Sequence, residues 1–549
     1  MMNDATVVDR LCDEVVDSEL RRSPEFATYA GVHDYDDEVT DHSPAAVQAA
    51  IRERAGQARR LEAIEPTGLD EHGALDRDLT LAFLRGQLVY EEEVRLSART
   101  PDEILGSFCW GLFTPSKRTF APAEVRMGNV TSRLEKFPAV AEAARARLTD
   151  PSRIPMDIAV NSIRDTIPFL ENSLPAAFAG VQDAAMQVRL RSAIEAAASE
   201  YRRLAAWCEE KKAVATPEFA IGEKAYESYM RQAELIDMPL GDVFEIGRRE
   251  LDRLSEVFVA TCSEIDASAT PAEVFETLSK DHPSADDLLT YTSSLLEDLR
   301  AFCVEREILT FPSEVRCTVE PTPEFFRELT FASMDTPGPF EQNSTEAYYN
   351  VTTALPEWDA DTIEQHMRSY NRYTLTSTSV HEAYPGHYTQ FLHQHLWGSR
   401  ARKLFGSYSA VEGWAHYVEE MVIEQGLNGG DARFHLGQIQ EALLRACRLV
   451  VGIGMHTGEM SYEEAVSVFQ KKGYLEPVNA VREARRGTVD PFYSSYTLGK
   501  LMMLKLREDF MAQNRGASLK EFHDRFLRIG TPPIPLVRKK MLGEVGRPL

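Results

Sequence analysis

The chain has 549 residues, with 86 acids against 60 bases for a formal charge of −26, and 43% of it is hydrophobic. That length exceeds what one hydrophobic core usually holds, and the composition is globular, with no stretch poor enough in apolar residues to read as disordered. So acidic a surface repels phosphate backbones and anionic lipid, which argues against nucleic acid or membrane as partners, and no run of about 18 apolar residues offers a membrane span.

The opening "MMNDATVVDRLCDEVVDSEL" lacks the basic-then-apolar pattern of a secretory signal. Seven cysteines, Cys12, Cys109, Cys208, Cys262, Cys303, Cys317 and Cys447, are scattered without a C-x-x-C pair. A cytoplasmic location with reduced thiols is therefore expected. Spacings of three and four between apolar residues predict helices over Leu75–Leu96, Leu190–Lys212 and Pro239–Cys262. A further helix is expected after Pro283, with Ser284 as its N-cap. Period-two strands are few, the best being Glu314–Glu320 and Ala347–Thr353.

Pro321, Pro323, Pro337, Gly338 and Pro339 punctuate the segment Glu320–Ser344. A boundary near residue 320 is expected there, with a mostly helical lobe over 1–320 and a metal-binding catalytic lobe over 321–549 that share one cleft. Five of the thirteen histidines fall between His381 and His416, an uneven distribution that points to a site.

That site centres on "TSVHEAYPGHYTQ", Thr378–Gln390. His381 and Glu382 begin an H-E-x-x-H pattern, but Pro385 takes the fifth position and the next histidine is His387. On an uninterrupted helix, residues six apart diverge by roughly 240°. Pro385 and Gly386 are expected to open a bulge that absorbs two residues and returns His387 to the face of His381. A third ligand comes from "SAVEGWAHYVEEMV", Ser409–Val422, where Glu412, His416, Glu419 and Glu420 share a helical face. Catalytic zinc takes three protein ligands and one open position, which selects His381, His387 and Glu412. Glu382 then reads as general base and Glu419 as the group that orients a ligand histidine. His416 reads as a wall residue or a substitute for Glu412, His393 and His395 as packed or solvated residues, and Glu420 as a solvated helix charge.

"HEAYPGH" followed by "EGWAHYVEE" resembles a large bacterial family catalogued as a domain of unknown function, with signatures H-E-x-x-P-G-H and E-G-W-A-x-Y. Weaker blocks extend the likeness over nearly the whole chain: "FATYAGVHDYDDEVTDHS", "AIGEKAYESYMR", "IGRRELDRL", "YYNV", "GMHTGEMSYEEA" and "YTLGKLMMLKLRE". That family is similar in turn to helical zinc peptidases of the thermostable carboxypeptidase, thimet oligopeptidase and angiotensin-converting enzyme types. The resemblance implies a mainly α, two-lobed zincin-like fold with a deep cleft and a small β-sheet near the metal. It implies Tyr496 or His456 as oxyanion donor and Tyr349 and Asn350 as an edge strand that aligns substrate. Two departures stand out: "DPFYSSY" replaces the family's P-G-Q-A segment, and Gly452 stands where many members carry Asp.

The expectation is a zinc-dependent hydrolase of a peptide or related amide. Arg486 and Arg507 are candidate clamps for a substrate carboxylate, and otherwise surface charges. Two other readings are a helical di-iron oxygenase, which expects two Glu-x-x-His motifs that the sequence lacks, and a non-catalytic helical binding protein that keeps the cleft.

Overall fold

In the computed structural model, the residues described are 4–323, 327, 330–543 and 549. Up to residue 305 the chain is almost entirely helical. The expected helices appear as Glu71–Val89, Ala184–Ala213 and α1 (Leu240–Ile265). The first is shorter than its periodicity suggests, because it widens into a π-turn over Tyr90–Val94 that closes on Arg95 at φ 53°. The helix after Pro283 starts late, at Leu288. Ser284 instead accepts from the Asp287 N–H at 3.2 Å, closing the turn that precedes it.

Three short strands follow: β1 (Thr318–Pro321), β2 (Ala332–Asp335) and β3 (Tyr348–Val351), in the order β1-β3-β2. β3 runs parallel to β1, with Thr318 opposite Tyr348, and antiparallel to β2, with Ala332 opposite Val351. "YYNV" is thus the central strand, which corrects the edge-strand expectation. Tyr349 is fully buried with its hydroxyl 3.3 Å from Ser379 Oγ, and the Asn350 amide reaches Ser333 Oγ at 3.4 Å. The edges are β1 and β2, whose outer sides have no ladder partner among the described residues.

Six helices then build the site: α2 (Arg372–Glu382), α3 (His387–Leu396), α4 (Tyr408–Glu424), α5 (Ala432–Thr457), α6 (Pro477–Gly487) and α7 (Ser495–Gln513). Their starts are written in the sequence. Asn371 accepts from the Thr374 N–H at 3.0 Å and Ser407 from the Ala410 N–H at 3.1 Å, each satisfying a donor that the first turn leaves free.

Apolar burial ties the two halves together. One cluster runs from Val8 to Leu542 and draws on both sides of residue 320. Another joins Phe219–Val274 to Leu436–Tyr493, largely through α1 lying along α5. Among the described residues, only Ile104–Cys208 forms a core wholly within the N-terminal half. The Pro-rich segment near 320 therefore changes the secondary structure without separating two cores. Its Gly338 packs on the N-terminal segment so closely that a Cβ there would sit 2.1 Å from the Tyr29 carbonyl oxygen.

Candidate metal centre

α2 ends at Glu382 because the chain ahead cannot extend the ladder: Pro385 has no N–H to donate. A cis Tyr384–Pro385 peptide and Gly386 turn the chain, and α3 starts at His387. The Gly386 N–H folds back to the Val380 carbonyl at 3.0 Å. A Cβ at Gly386 would lie 1.8 Å from the His381 carbonyl oxygen, so only glycine fits. The expected bulge within one helix is instead a sharp break between two. His381 is the penultimate residue of α2, His387 the first of α3, and their ring centroids are 4.7 Å apart at 86°.

"EGWA" on α4 locks this arrangement. The Glu412 Oε2 atom lies 3.4 Å from His381 Nε2 and 3.3 Å from His387 Nε2. Gly413 lets α4 touch α7, since a Cβ would come within 2.5 Å of the Gly499 backbone. Trp414, fully buried, donates its indole N–H to the carbonyls of Pro385 at 3.1 Å and Gly386 at 3.4 Å. The break that carries His387 is thereby fastened to the helix that carries Glu412.

Glu419, two turns along α4, is the electrostatic anchor. Its carboxylate meets His381 Nδ1 at 2.6 Å, His416 Nδ1 at 3.2 Å and the Arg445 guanidinium at 3.3 Å. Burial pushes its pKa up, but Arg445 and the two imidazoles hold it well below the usual carboxylate range. An ionised Glu419 accepts the Nδ1 proton of His381, which leaves the Nε2 lone pair aimed at Glu412. Glu412 is also held well below the ordinary range, with burial opposed by the His387 and His381 charges. For His381, burial and Arg445 lower the pKa, yet Glu412 and Glu419 carry it to about 9. Acceptors facing each other at such distances demand a proton or a cation between them.

His381, His387 and Glu412 form a metal-type cluster: their ligand atoms all lie within 4.8 Å of one another, and it is the one such cluster among the described residues. A tetrahedral zinc with bonds of about 2.0–2.1 Å places its ligand atoms about 3.3 Å apart, which matches both Glu412 distances. Two imidazoles and a carboxylate are a donor set that could hold a zinc ion through three protein ligands.

The centre opens on a cavity of about 1210 Å³ lined by His381, Glu382, Tyr496, Arg445, Arg448 and Arg486, among others. Glu382 makes no hydrogen bond or ion pair among the described residues, and burial, reinforced by Glu412, raises its pKa despite the neighbouring imidazoles. The Tyr496 ring stacks 6.1 Å from that of His381, with its hydroxyl 3.4 Å from Arg486. Arg486 pairs with Asp490 at 3.0 Å on the cavity wall.

Other expected residues lie elsewhere. His456 is fully buried with both nitrogens taken by backbone, the Gly487 carbonyl at 2.7 Å and the Ile221 N–H at 3.3 Å, so it has no donor for an oxyanion. Arg507 faces away and pairs with Glu424 at 2.7 Å. His416 is sealed behind Glu419 rather than forming the cavity wall. Glu420 is no solvated charge; it meets the fully buried Lys500 at 2.5 Å. His393 packs with Nε2 on the Thr310 carbonyl at 2.8 Å. Sequence reading missed Arg445 and Arg448, three apart on α5. The available signal was two arginines, "RACR", followed directly by the apolar run "LVVGIG" in the buried second half of the helix. Arg448 is held by Glu483 through two hydrogen bonds of 2.8 and 2.9 Å.

A family model described as "Bacterial protein of unknown function (DUF885)" matches residues 24–541, and the chain belongs to that family. Two solved structures share the fold. One is described as "a putative lipoprotein of unknown function" from Shewanella oneidensis; at 23% identity and a TM-score of 0.78, the likeness covers 97% of this chain and 99% of that one. The other, a "putative lipoprotein" from Colwellia psychrerythraea, is 18% identical with a TM-score of 0.84 over 98% of this chain and 99% of that one. No curated protein matches the sequence. No described helix is long and apolar enough to cross a membrane.

Proposed function

We propose that this member of the DUF885 family is a zinc-dependent hydrolase of a peptide or related amide C–N bond. The observation that carries the reading is the set of three ligand atoms from His381, His387 and Glu412 within 4.8 Å of one another beside a large cavity. Those residues would hold the ion, which when bound supplies Lewis acidity and lowers the pKa of water towards neutrality.

The remaining work falls to the chain. Glu382, unpaired and with a raised pKa, takes a proton from the attacking water at its carboxylate. The water oxygen adds to the carbonyl carbon, the C–N bond breaks, and Glu382 returns the proton to the departing nitrogen. Tyr496 is the hydroxyl placed to donate to the developing oxyanion, now that His456 is accounted for. Glu419 keeps the Nδ1 proton of His381 in place, so that Nε2 stays a lone-pair donor.

The test is a panel of peptides and acyl amides assayed with added zinc, with and without chelator, for wild type and Glu382→Gln. Chelator-sensitive turnover that Glu382→Gln abolishes while retaining zinc supports the proposal. Full activity of Glu382→Gln on the substrate found overturns the general-base assignment.

A further inference from the structure

Six arginines line the cavity, and five are neutralised. Arg368 pairs with Glu364 at 3.1 Å, Arg445 with Glu441 at 2.8 Å, Arg448 with Glu483 at 2.8 Å, Arg485 with Asp157 at 2.7 Å and Arg486 with Asp490 at 3.0 Å. The sixth, Arg482 on α6, has no acidic partner among the described residues. Its guanidinium lies 5.2 Å from the Phe331 ring, which sits 6.3 Å from the Tyr370 ring. The charges of Arg482 and Arg327 both act to lower the pKa of His366 and Tyr370, beside that ring pair. Arg327 Nη1 is buried without a hydrogen-bond partner, and its Nε donates only to the Thr322 carbonyl at 3.3 Å. Arg482, on the cavity wall with no acidic partner among the described residues, makes a site for an anion.

The distance from this end to the metal centre follows from helix geometry. Asn371, Thr374, Thr378 and His381 all line the cavity, so one face of α2 forms the wall between them. Ten residues of helix rise about 15 Å. Along α6, Arg482 lies one turn, about 6 Å, before Arg486, which touches Tyr496 beside His381. The anion end therefore stands on the order of 10–15 Å from His381, or about three to four residues of extended peptide. Leu475, Val478 and Val481 line the cavity near Arg482 and offer apolar contacts between polar neighbours such as Glu476 and Asn479, with Val478 75% exposed.

We infer that Arg482 binds the free C-terminal carboxylate of an oligopeptide substrate and that the bond cleaved lies three or four residues upstream of that carboxylate. This rests on the hydrolase reading, but the anion site can be read without turnover.

The experiment uses N-terminally fluorescein-labelled hexapeptides of apolar sequence, made as free acid and as C-terminal amide, with binding to metal-free protein followed by anisotropy. The free acid should bind about tenfold tighter than the amide. In Arg482→Gln the ratio should collapse to below about twofold, and Arg482→Lys should restore part of it. Equal binding of acid and amide to wild type, or an acid preference that survives Arg482→Gln, overturns the inference. Both variants are first checked for an unchanged melting curve. With zinc-loaded enzyme, mass spectrometry of the products should locate the cut three or four residues from the free carboxylate, and release of the terminal residue alone overturns the spacing. Absence of all turnover counts against the hydrolase reading, while the anisotropy arm still decides the anion site.

Discussion

The indole N–H of Trp414 donates to the carbonyl of Pro385 at 3.1 Å, and this bond joins the two ligand-bearing elements of the site. Glu412 lies two residues before Trp414 on α4, and His387 lies two residues after Pro385 at the start of α3. Whatever moves the indole moves His387 relative to Glu412. Trp414→Phe keeps an aromatic ring in the core but takes the indole donor from the Pro385 carbonyl, while the Gly386 carbonyl keeps the Gln390 N–H at 3.0 Å. It should weaken zinc binding about tenfold and cost about 1–3 kcal/mol of stability. Competition with a zinc chelator and a denaturant titration measure the two effects. A variant with wild-type zinc affinity would show that the break is held by other contacts.

Glu419 touches no substrate space; it sets which nitrogen of His381 carries the proton. Glu419→Gln preserves the shape and removes the charge that Arg445, His416 and His381 share. Zinc affinity should fall between about 10- and 100-fold, with the fold retained by circular dichroism. Unchanged affinity would mean that His381 is oriented by its helix alone.

A pair far from the cavity ties the N-terminal segment to the Pro-rich loop. His33 lies 3.0 Å from both Asp36 and Glu341 and stacks on Phe120 with ring centroids 3.8 Å apart. Burial lowers the imidazole pKa, but the two carboxylates raise it to about 9. Burial raises that of Glu341, but His33 and the Asn343 and Ser344 N–H groups bring it down to about 2. A raised histidine stabilises fully below its ordinary 6.5 and loses the contribution as pH rises through about 9. A depressed carboxylate stabilises above its ordinary 4.5 and loses the contribution as pH falls through about 2. The pair therefore contributes most between these ordinary values, and the stability gap between wild type and His33→Gln should be widest near pH 5.5 and narrow by pH 9. Denaturant titrations at pH 5.5, 7.5 and 9 test this, and a gap that widens with pH contradicts it.

What the sequence disclosed and what it hid follow from the range of each interaction. Helical periodicity is local, so Leu190–Lys212 and Pro239–Cys262 were legible as helices, the first beginning six residues earlier, at Ala184, and the second ending three later, at Ile265. The meeting of His381, His387 and Glu412 was legible because the Pro-Gly interruption and the E-G-W block each carry metal-ligand residue types in a recognisable pattern. The way they meet was not: a bulge and a break satisfy the same spacing, and only the carbonyls that Gly386 crowds decide for the break. Arg445 reads as an ordinary i,i+4 partner of Glu441, and what brings it and Arg448 to the site comes from other helices, Glu419 on α4 and Glu483 on α6. "YYNV" alternates like any strand, and nothing in four residues tells a central strand from an edge. His456 offered the right side chain, but the Gly487 carbonyl and the Ile221 N–H that occupy it come from distant segments.

The central claim, that His381, His387 and Glu412 share one ion, is tested most directly by zinc stoichiometry. The protein is dialysed against zinc, and bound metal is measured by mass spectrometry for wild type, His381→Ala, His387→Ala, Glu412→Ala and, as a control, Arg507→Ala. The account predicts about one zinc per chain in wild type and the control, and almost none in the three ligand variants. Wild-type protein that binds no zinc, or ligand variants that bind as much as the control, would contradict it.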